Sequence, residues 1–315
     1  MILREANIED IPEIVKVLKL SLGEQDLPLS ESIWNFKHKE NPFGKSLVFV
    51  AEEDNNIVGV RAFMRWEWKV GDKIYQTFRA VDTATHPSHQ GKGIFKKLTL
   101  KAVEVAKENG DKFIFNTPND QSRPGYLKMG WQQVDKLKVA LRPAYHSFWK
   151  FIDGTATEYS TNIQCSLMQI DQLCNDWNDK FVNRKTLITP KSAKFLSWRY
   201  EKNPLQKYEI YAKNGLYLAA YIKIRKGLKE LRISECIYNG NSKSEITRIV
   251  KSFSIKFGAH FISYSPELLE LKWNLVSSNI GPILTLKDLN LDEEEKLQFE
   301  EIHNWGYSLG DLELF

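Results

Sequence analysis

The sequence has few cysteines, little net charge and no long apolar run. Its three cysteines, Cys165, Cys174 and Cys236, match no metal or redox spacing, which predicts reduced thiols. A formal net charge of +4 is too small to indicate a nucleic-acid partner. No apolar run reaches the roughly 18–20 residues that cross a bilayer, and the N-terminus lacks the pattern of a secretory signal. We therefore expect a cytoplasmic protein without a nucleic-acid or membrane partner.

The composition is that of an ordinary globular protein. Hydrophobic residues make up 42% of the chain, charged residues 27% and aromatic residues 12%, which excludes disorder and coiled coil. At roughly 150 residues per domain, the length predicts two domains. We place them at residues 1–145 and 146–315.

Helix and strand signals alternate through the first 145 residues. Apolar residues recur at helical spacing in some segments and form short apolar or alternating runs in others. Asn41-Pro42 must end the second helix, and Asn109-Gly110 ends the helix that follows the glycines near residue 92. The predicted helices and strands, in order, lie at 11–22, 33–36, 47–51, 57–70, 74–85, 94–108, 112–116 and 134–141.

The second half repeats this plan weakly. Asn203-Pro204 follows Asn41-Pro42 by 162 positions (203 − 41), and the residues before both pairs are aromatic and basic. Phe261-Ile262 follows Phe113-Ile114 by 148 positions (261 − 113). The match predicts that residues 195–286 are a shortened second copy. An unrelated α/β domain with a coincidental helix stop is the alternative.

A strand, a glycine turn and an amphipathic helix follow one another between Val81 and Phe95. The first turn of a helix has free N–H groups and a partial positive charge, so it attracts anions. Gly91 and Gly93 would let the backbone approach a phosphate closely. They lack the third glycine of a dinucleotide fingerprint and the Lys-Ser/Thr of a P-loop.

This turn resembles the acyl-CoA loop of the GCN5-related N-acetyltransferases (GNAT), whose pattern is Gln/Arg-x-x-Gly-x-Gly/Ala. The matching residues are Gln90-Gly91-Lys92-Gly93-Ile94-Phe95, in which Phe95 replaces the final small residue. The family also shows Asn-x-x-Ala-x-x-x-Tyr-x-x-x-Gly-Phe downstream. Here Asn119, Ser122, Tyr126 and Gly130-Trp131 stand at that spacing. On these two motifs, the chain is identified as a tandem-domain GNAT member with a degenerate C-terminal half.

The resemblance implies an α/β (α+β) fold in which helices flank a mixed, mostly antiparallel sheet, duplicated along the chain. It implies that acetyl-CoA lies between two splayed strands. Thr83 and Thr85 then offer backbone groups to the pantetheine arm, and Asn119 binds the same arm. The pyrophosphate is bound by the loop residues Gln90, Gly91, Lys92, Gly93, Ile94 and Phe95.

In such a ternary complex the acceptor amine attacks the thioester directly. The resemblance makes Tyr126 the general acid that protonates the leaving thiol, and a backbone N–H of the fourth strand the oxyanion donor. Asp82 is our candidate general base, with His86 as an alternative. No metal is expected, because His86-x-x-His89 lacks further ligands to complete a site.

The second copy lacks both motifs. Residues 239–244 contain no Gln-x-x-Gly, and no tyrosine stands in the acid position after Phe261-Ile262. We expect this half to have lost the CoA site and either to cover the acceptor cleft or to complete the sheet.

We expect the acceptor to be a small amine or amino sugar, and the oligomeric state stays open. Aromatic and basic residues concentrate where acceptor groups are expected, although core packing explains most of them equally well: Trp34, His38, Arg65, Trp66 and Trp68. Two other functions stay open. One is a tandem aminoacyl transferase of the cell-wall peptide type, and the other is a non-catalytic CoA-binding protein.

Overall fold

The computed structural model describes residues 1–22, 30–144, 158–240, 243–271 and 276–312. They form two compact units that are not contiguous in sequence. The first unit comprises Met1–Trp68, Ile74–Asp135 and Pro282–Glu301, and the second comprises Lys69–Lys73, Lys136–Gly281 and Ile302–Phe315. The expected boundary at residue 145 falls in the segment 145–157, outside the described residues, and stays a prediction.

The helices occur where apolar residues recur at helical spacing. They are α1 (Ile11–Leu22), α2 (Glu31–His38), α3 (Ile94–Glu108), α4 (Arg123–Lys128), α5 (Leu167–Asp179), α6 (Ala193–Leu196), α7 (Lys243–Phe257), α8 (Glu293–Phe299) and α9 (Leu309–Leu312). A π-helical turn, Ser197–Glu201, continues α6. In the described ranges, no helix is both long and apolar enough to cross a membrane.

The strands alternate with these helices. They are β1 (Ile2–Glu5), β2 (Leu47–Glu53), β3 (Asn56–Val70), β4 (Lys73–Thr85), β5 (Phe113–Asn116), β6 (Gln132–Lys136), β7 (Val139–Pro143), β8 (Thr161–Ile163), β9 (Leu187–Ile188), β10 (Glu209–Lys213), β11 (Leu216–Arg225), β12 (Leu228–Tyr238), β13 (Phe261–Tyr264), β14 (Val276–Ser278), β15 (Ile283–Asp288) and β16 (Trp305–Gly306).

The sheet of the first unit has the strand order β1-β2-β3-β4-β5-β15-β6. β1 pairs antiparallel with β2, β2 with β3, and β5 with β15, whereas β4 and β5 are parallel. The predicted mixed, mostly antiparallel sheet is therefore confirmed.

The second unit has a sheet of the corresponding order, β8-β10-β11-β12-β13-β7-β14. Its fourth and fifth strands, β12 and β13, are again parallel, and the helix α7 connects them as α3 connects β4 and β5. One difference is that β8 runs parallel to β10, whereas β1 runs antiparallel to β2. The two sheets are consistent with the predicted duplication.

The prediction of one strand over 134–141 was wrong. The structure has two strands, β6 and β7, interrupted at Leu137-Lys138, and β7 lies between β13 and β14 in the second sheet. The corresponding position of the first sheet, between β5 and β6, holds β15 from near the C-terminus. Leu137, Val139 and Leu141 alternate with other residues, but Val134 lies three positions before Leu137 and is out of phase with them. No glycine or proline marks the break, so the sequence carries no turn signal there.

The core of the first unit lies between α3 and the sheet. Ile94, Leu98, Ala102 and Ala106 recur on one face of α3 and are buried against β2, β3 and β5. α3 ends at Glu108 and is capped by Asn109, after which Gly110 has φ +82° and the Asp111 N–H donates to the Ala106 carbonyl at 3.1 Å. This left-handed glycine ending satisfies a terminal carbonyl of the helix.

Replacing Leu98 by Ala tests how tightly α3 packs on the sheet. Leu98 has no exposed surface, so we expect a loss of about 2–5 kcal/mol in the free energy of unfolding. Leu100→Ala on the same helix is the control, since Leu100 is 40% exposed. It should cost no more than about 0.5 kcal/mol. Urea denaturation measures both, and equal losses would contradict the packing described here.

Candidate active site

The strand β4 extends beyond its pairing with β5 at one end of the first sheet. In the described part of the chain their register comprises Phe78–Ile114 and Arg79–Phe115, while β4 continues to Thr85. Past this register, β4 is irregular at Asp82, whose φ is +31°. A positive φ is unfavourable for a residue other than glycine and persists where surrounding contacts hold it.

The predicted loop joins the end of β4 to α3. Gly91 and Gly93 have φ values of +78° and +73°, which explains why glycine occupies both positions. A Cβ atom built on either residue meets nothing within 4 Å. The backbone therefore borders open space beside the first turn of α3, where N–H groups lack intrahelical acceptors.

Lys92 and His89 both pair with Glu53 at this loop. Lys92 Nζ lies 3.5 Å and His89 Nε2 lies 2.9 Å from Glu53 Oε2. The charge of Lys92 is the main cause that lowers the pKa of the Glu53 carboxyl, so this carboxylate stays charged. An anion that binds to Lys92 has to compete with Glu53 for the ammonium group.

Three other predicted cofactor residues take part in local bonds. Thr83 Oγ1 donates to the Val60 carbonyl at 3.3 Å, and Gln90 Nε2 donates to the Thr85 carbonyl at 3.5 Å. The side-chain oxygen of Asn119 accepts from the backbone N–H and the hydroxyl of Ser122, both at 2.9 Å. Asn119 therefore shapes the turn before α4, and a role in binding the pantetheine arm stays a prediction.

Tyr126 packs within an aromatic cluster beside the loop. Its ring centroid lies 5.6 Å from that of Phe95, nearly perpendicular to it, and 5.2 Å from that of Trp131. Phe95 stands in the first turn of α3, immediately after Ile94. Phe95, which replaces the small residue of the family pattern, thus connects the loop to Tyr126, the predicted general acid.

Arg61 lies under this cluster and is a residue that the sequence analysis missed. Its side chain is fully buried, and its guanidinium carbon lies 4.8, 5.2 and 5.8 Å from the ring centroids of Phe63, Tyr126 and Phe95. Among the described residues, its three side-chain nitrogens have no hydrogen-bond partner. The signal was a single charged residue in the otherwise apolar segment 57–64.

Asp82 belongs to a cluster on the α2 side of β4. Its Oδ2 atom lies 2.5 Å from Lys37 Nζ and 2.8 Å from His38 Nε2, and His38 Nδ1 lies 2.8 Å from Ser46 Oγ. Lys37 and His38 end α2, while Ser46 directly precedes β2. No sequence spacing connects these positions, because the contacts are tertiary.

The pKa values of this cluster follow from burial and charge. Burial alone raises the pKa of Asp82, but the charge of Lys37 and the hydrogen bonds of His38 and Lys37 hold it well below its usual range. Burial is the main cause that lowers the pKa of His38, although Asp82 opposes it. At neutral pH, Asp82 is therefore a carboxylate and His38 is neutral.

A carboxylate that is paired with a lysine is a weak base. Asp82 therefore stays our predicted base only as part of this cluster. His86, the alternative, accepts the Ser88 N–H through Nδ1 at 3.3 Å and lies beside His89. In the ranges that the structure describes, no group of three or more His, Cys, Asp or Glu side chains is arranged to hold a metal ion.

The aromatic and basic residues expected near the acceptor differ in their surroundings. Trp66 and Trp68 have no exposed surface and pack against Phe115, so they are core residues. Trp34 stacks on His38 with a centroid distance of 4.0 Å. Arg65 pairs with Asp111 and lies over the ring of Phe78.

Residues 3–134 match the family Acetyltransferase (GNAT) domain. This match confirms the resemblance for residues 3–134 of the chain. No curated protein sequence matches the chain significantly.

Solved structures with a similar fold cover nearly the whole chain. They include a probable N-acyltransferase from Enterococcus faecalis (TM-score 0.66, 11% identity, covering 91% of this chain and 72% of that one). GCN5-related N-acetyltransferases from Kribbella flavida (0.64, 13%, 91% and 71%) and Anabaena variabilis (0.62, 12%, 92% and 73%) are also similar. At these identities, the likeness establishes the fold of both units.

Replacing Asp82 by Asn tests its ion pair. We expect a loss of about 1–3 kcal/mol in the free energy of unfolding near neutral pH, because Lys37 loses its charged partner. The native pKa of Asp82 lies below the unfolded value of about 3.9. The stabilisation is therefore present above that pH and is lost as the pH falls through the native pKa.

Urea denaturation of wild type and Asp82→Asn, near neutral pH and in acid, measures this difference. Asp54→Asn is the control, because Asp54 is exposed in the β2–β3 turn. It should leave stability unchanged at both pH values. If the difference in the free energy of unfolding between wild type and Asp82→Asn does not shrink in acid, the charge of Asp82 is not what stabilises the fold.

Proposed function

We propose that this chain is an acetyl-CoA-dependent N-acetyltransferase that transfers an acetyl group to a small amine or amino sugar. The observation that carries the proposal is the Gln90–Phe95 loop, which borders open space at the start of α3 and contacts Tyr126 through Phe95. The match of residues 3–134 to the GNAT domain family supports the acyl-transfer chemistry. The acceptor class follows from the sequence analysis alone.

The residues present suit an acyl-CoA donor. The Gly91 and Gly93 cradle is open where a Cβ would project, and the free N–H groups of the first turn of α3 can bind a pyrophosphate. Lys92 adds positive charge there. Thr83 and Thr85, on the part of β4 that extends beyond its register with β5, can offer backbone groups to the pantetheine arm.

Catalysis then depends mainly on positioning. Holding the amine against the thioester replaces a bimolecular encounter, and a backbone N–H of β4 stabilises the oxyanion. Tyr126 gives a proton to the departing sulfur. Its ring is held by Phe95 and Trp131, which fixes the direction of its hydroxyl group.

The donor site is tested by thermal unfolding with acetyl-CoA. A ligand at 100 times its Kd stabilises the protein by about 2.7 kcal/mol, so the Tm should rise. Gly93→Ala should weaken this shift, because it strains a residue at φ +73° and puts a methyl group into the cradle. Gly110→Ala is a matched control at φ +82°, at the far end of α3.

Both glycine variants should lose about 1–2 kcal/mol of stability from the positive φ, but only Gly93→Ala should bind acetyl-CoA less tightly. If acetyl-CoA leaves the Tm of the wild type unchanged, the proposal fails and the aminoacyl transferase alternative gains. A raised Tm without thiol release from any amine would instead support the CoA-binding alternative.

Tyr126→Phe tests the general acid. We expect kcat to fall by about 10²–10⁴-fold with the KM for acetyl-CoA unchanged, because the ring contacts with Phe95 and Trp131 are retained. Thiol release with a panel of amines and amino sugars measures turnover. Tyr307→Phe removes a hydroxyl bonded to the Lys138 backbone in the second unit and serves as the control. A Tyr126→Phe enzyme with wild-type kcat would exclude the acid role.

A further inference from the structure

The second unit contains a counterpart of the contact between α2 and β4. Tyr200, three residues before Asn203 as His38 is three residues before Asn41, donates its hydroxyl to Glu235 on β12 at 3.1 Å. Glu235 follows Ser234, which the register of β11 and β12 skips. Each unit therefore ties a helix to a carboxylate at an irregular position of its fourth strand.

The two contacts differ in chemistry. Burial raises the pKa of Tyr200 well above its ordinary value, so it cannot exchange a proton near neutral pH. Glu235 is 1% exposed and pairs with Lys191, whereas the side chain of Asp82 is 18% exposed. The contact between the helix and the carboxylate of the fourth strand therefore forms without a histidine. Only the first unit, which has the predicted acyl-CoA loop, places an imidazole in this contact.

The hydrogen bonds determine the tautomer of His38. A carboxylate only accepts, so Nε2 carries the hydrogen that is donated to Asp82. Nδ1 of the neutral ring then has a free lone pair and accepts the hydroxyl hydrogen of Ser46 at 2.8 Å. Ser46 is half-buried, so its oxygen can receive a proton from outside the cluster.

We propose that His38 is the proton acceptor of the acetyl transfer, reached through the hydroxyl of Ser46, with Asp82 and Lys37 as positioning residues. The inference rests on the proposed function and extends it. It replaces Asp82 alone as base with Ser46 and His38, which the fold brings together with Asp82 and Lys37.

The proton balance closes along this chain. As the neutral amine forms its bond to the acyl carbon, its nitrogen gives a proton to Ser46, and the Ser46 hydrogen passes to His38 Nδ1. The C–S bond breaks and Tyr126 protonates the sulfur. His38 then loses its extra proton to solvent while Tyr126 regains one, so the products are an amide and coenzyme A.

The charged groups that face His38 are Lys37 from α2 and Asp82 from β4. The ring of Trp34 packs against the ring of His38 at a tilt of 45°, and the hydroxyl of Ser46 bonds to Nδ1. The negative charge of Asp82 stabilises the imidazolium form, and Lys37 keeps Asp82 ionised. Protonation of His38 before the reaction would block the chain, so turnover should decline in acid.

The test compares His38→Tyr and His38→Gln with wild type in the thiol-release assay across pH. His38→Tyr copies the contact of the second unit and preserves an aromatic donor to Asp82. Both variants should lose about 10²–10⁴-fold in kcat. The kcat of wild type should decline below the ordinary histidine pKa of 6.5, and the variants should not show this decline. The KM for acetyl-CoA should not change.

Ser46→Ala should also lower kcat. Tyr200→Phe in the second unit is the matched control, and it should keep the kcat and the pH profile of wild type. A folded His38→Tyr enzyme with wild-type kcat and the same decline in acid would overturn the inference and leave the proposed function intact. A wild-type enzyme that releases no thiol with any amine would overturn both.

Discussion

The pairing of Asp82 with Lys37 and His38 is the interaction on which the candidate site depends. Asp82 has a positive φ, which for residues other than glycine persists where other contacts hold it. Lys37 and His38 end α2 and supply those contacts, so they tie a helix to the part of β4 that extends beyond its register with β5. The same stretch of β4 leads into the glycine loop, so we expect the position of the loop to depend on these contacts.

Corresponding contacts exist in both units, which is consistent with the predicted duplication. Asn41 and Asn203 each accept a backbone N–H two residues later, at 3.0 and 2.9 Å, and so end their helices alike. His38 and Tyr200 then meet carboxylates on corresponding strands. In the second unit Glu235 joins a buried cluster in which it shares the ammonium group of Lys191 with Asp311. That cluster suits a structural role, because buried charges are tolerated when they are paired and hydrogen-bonded.

Much of the fold followed from local pattern. The α3 helix and most strands of the first unit were predictable because they obey simple periodicity, and the glycine loop because anion binding needs few residue types at close spacing. The positions of β7 in the second sheet and of β15 in the first were not predictable, since strand pairing between distant segments leaves no local signal. Arg61 was noticeable as a lone charge in an apolar strand, yet its position under Tyr126 and Phe95 needed coordinates.

The sequence by itself predicted the kind of chemistry, because the loop at residues 90–95 and Tyr126 lie in short segments whose geometry follows from neighbouring residues. Only the tertiary structure decided which groups stand together. His38, Ser46 and Asp82 come from α2, the approach to β2 and the irregular part of β4, and hydrogen bonds of 2.8 Å join them. Contacts of that kind arise when separate elements pack on one sheet, and burial then sets the protonation states that a sequence cannot express.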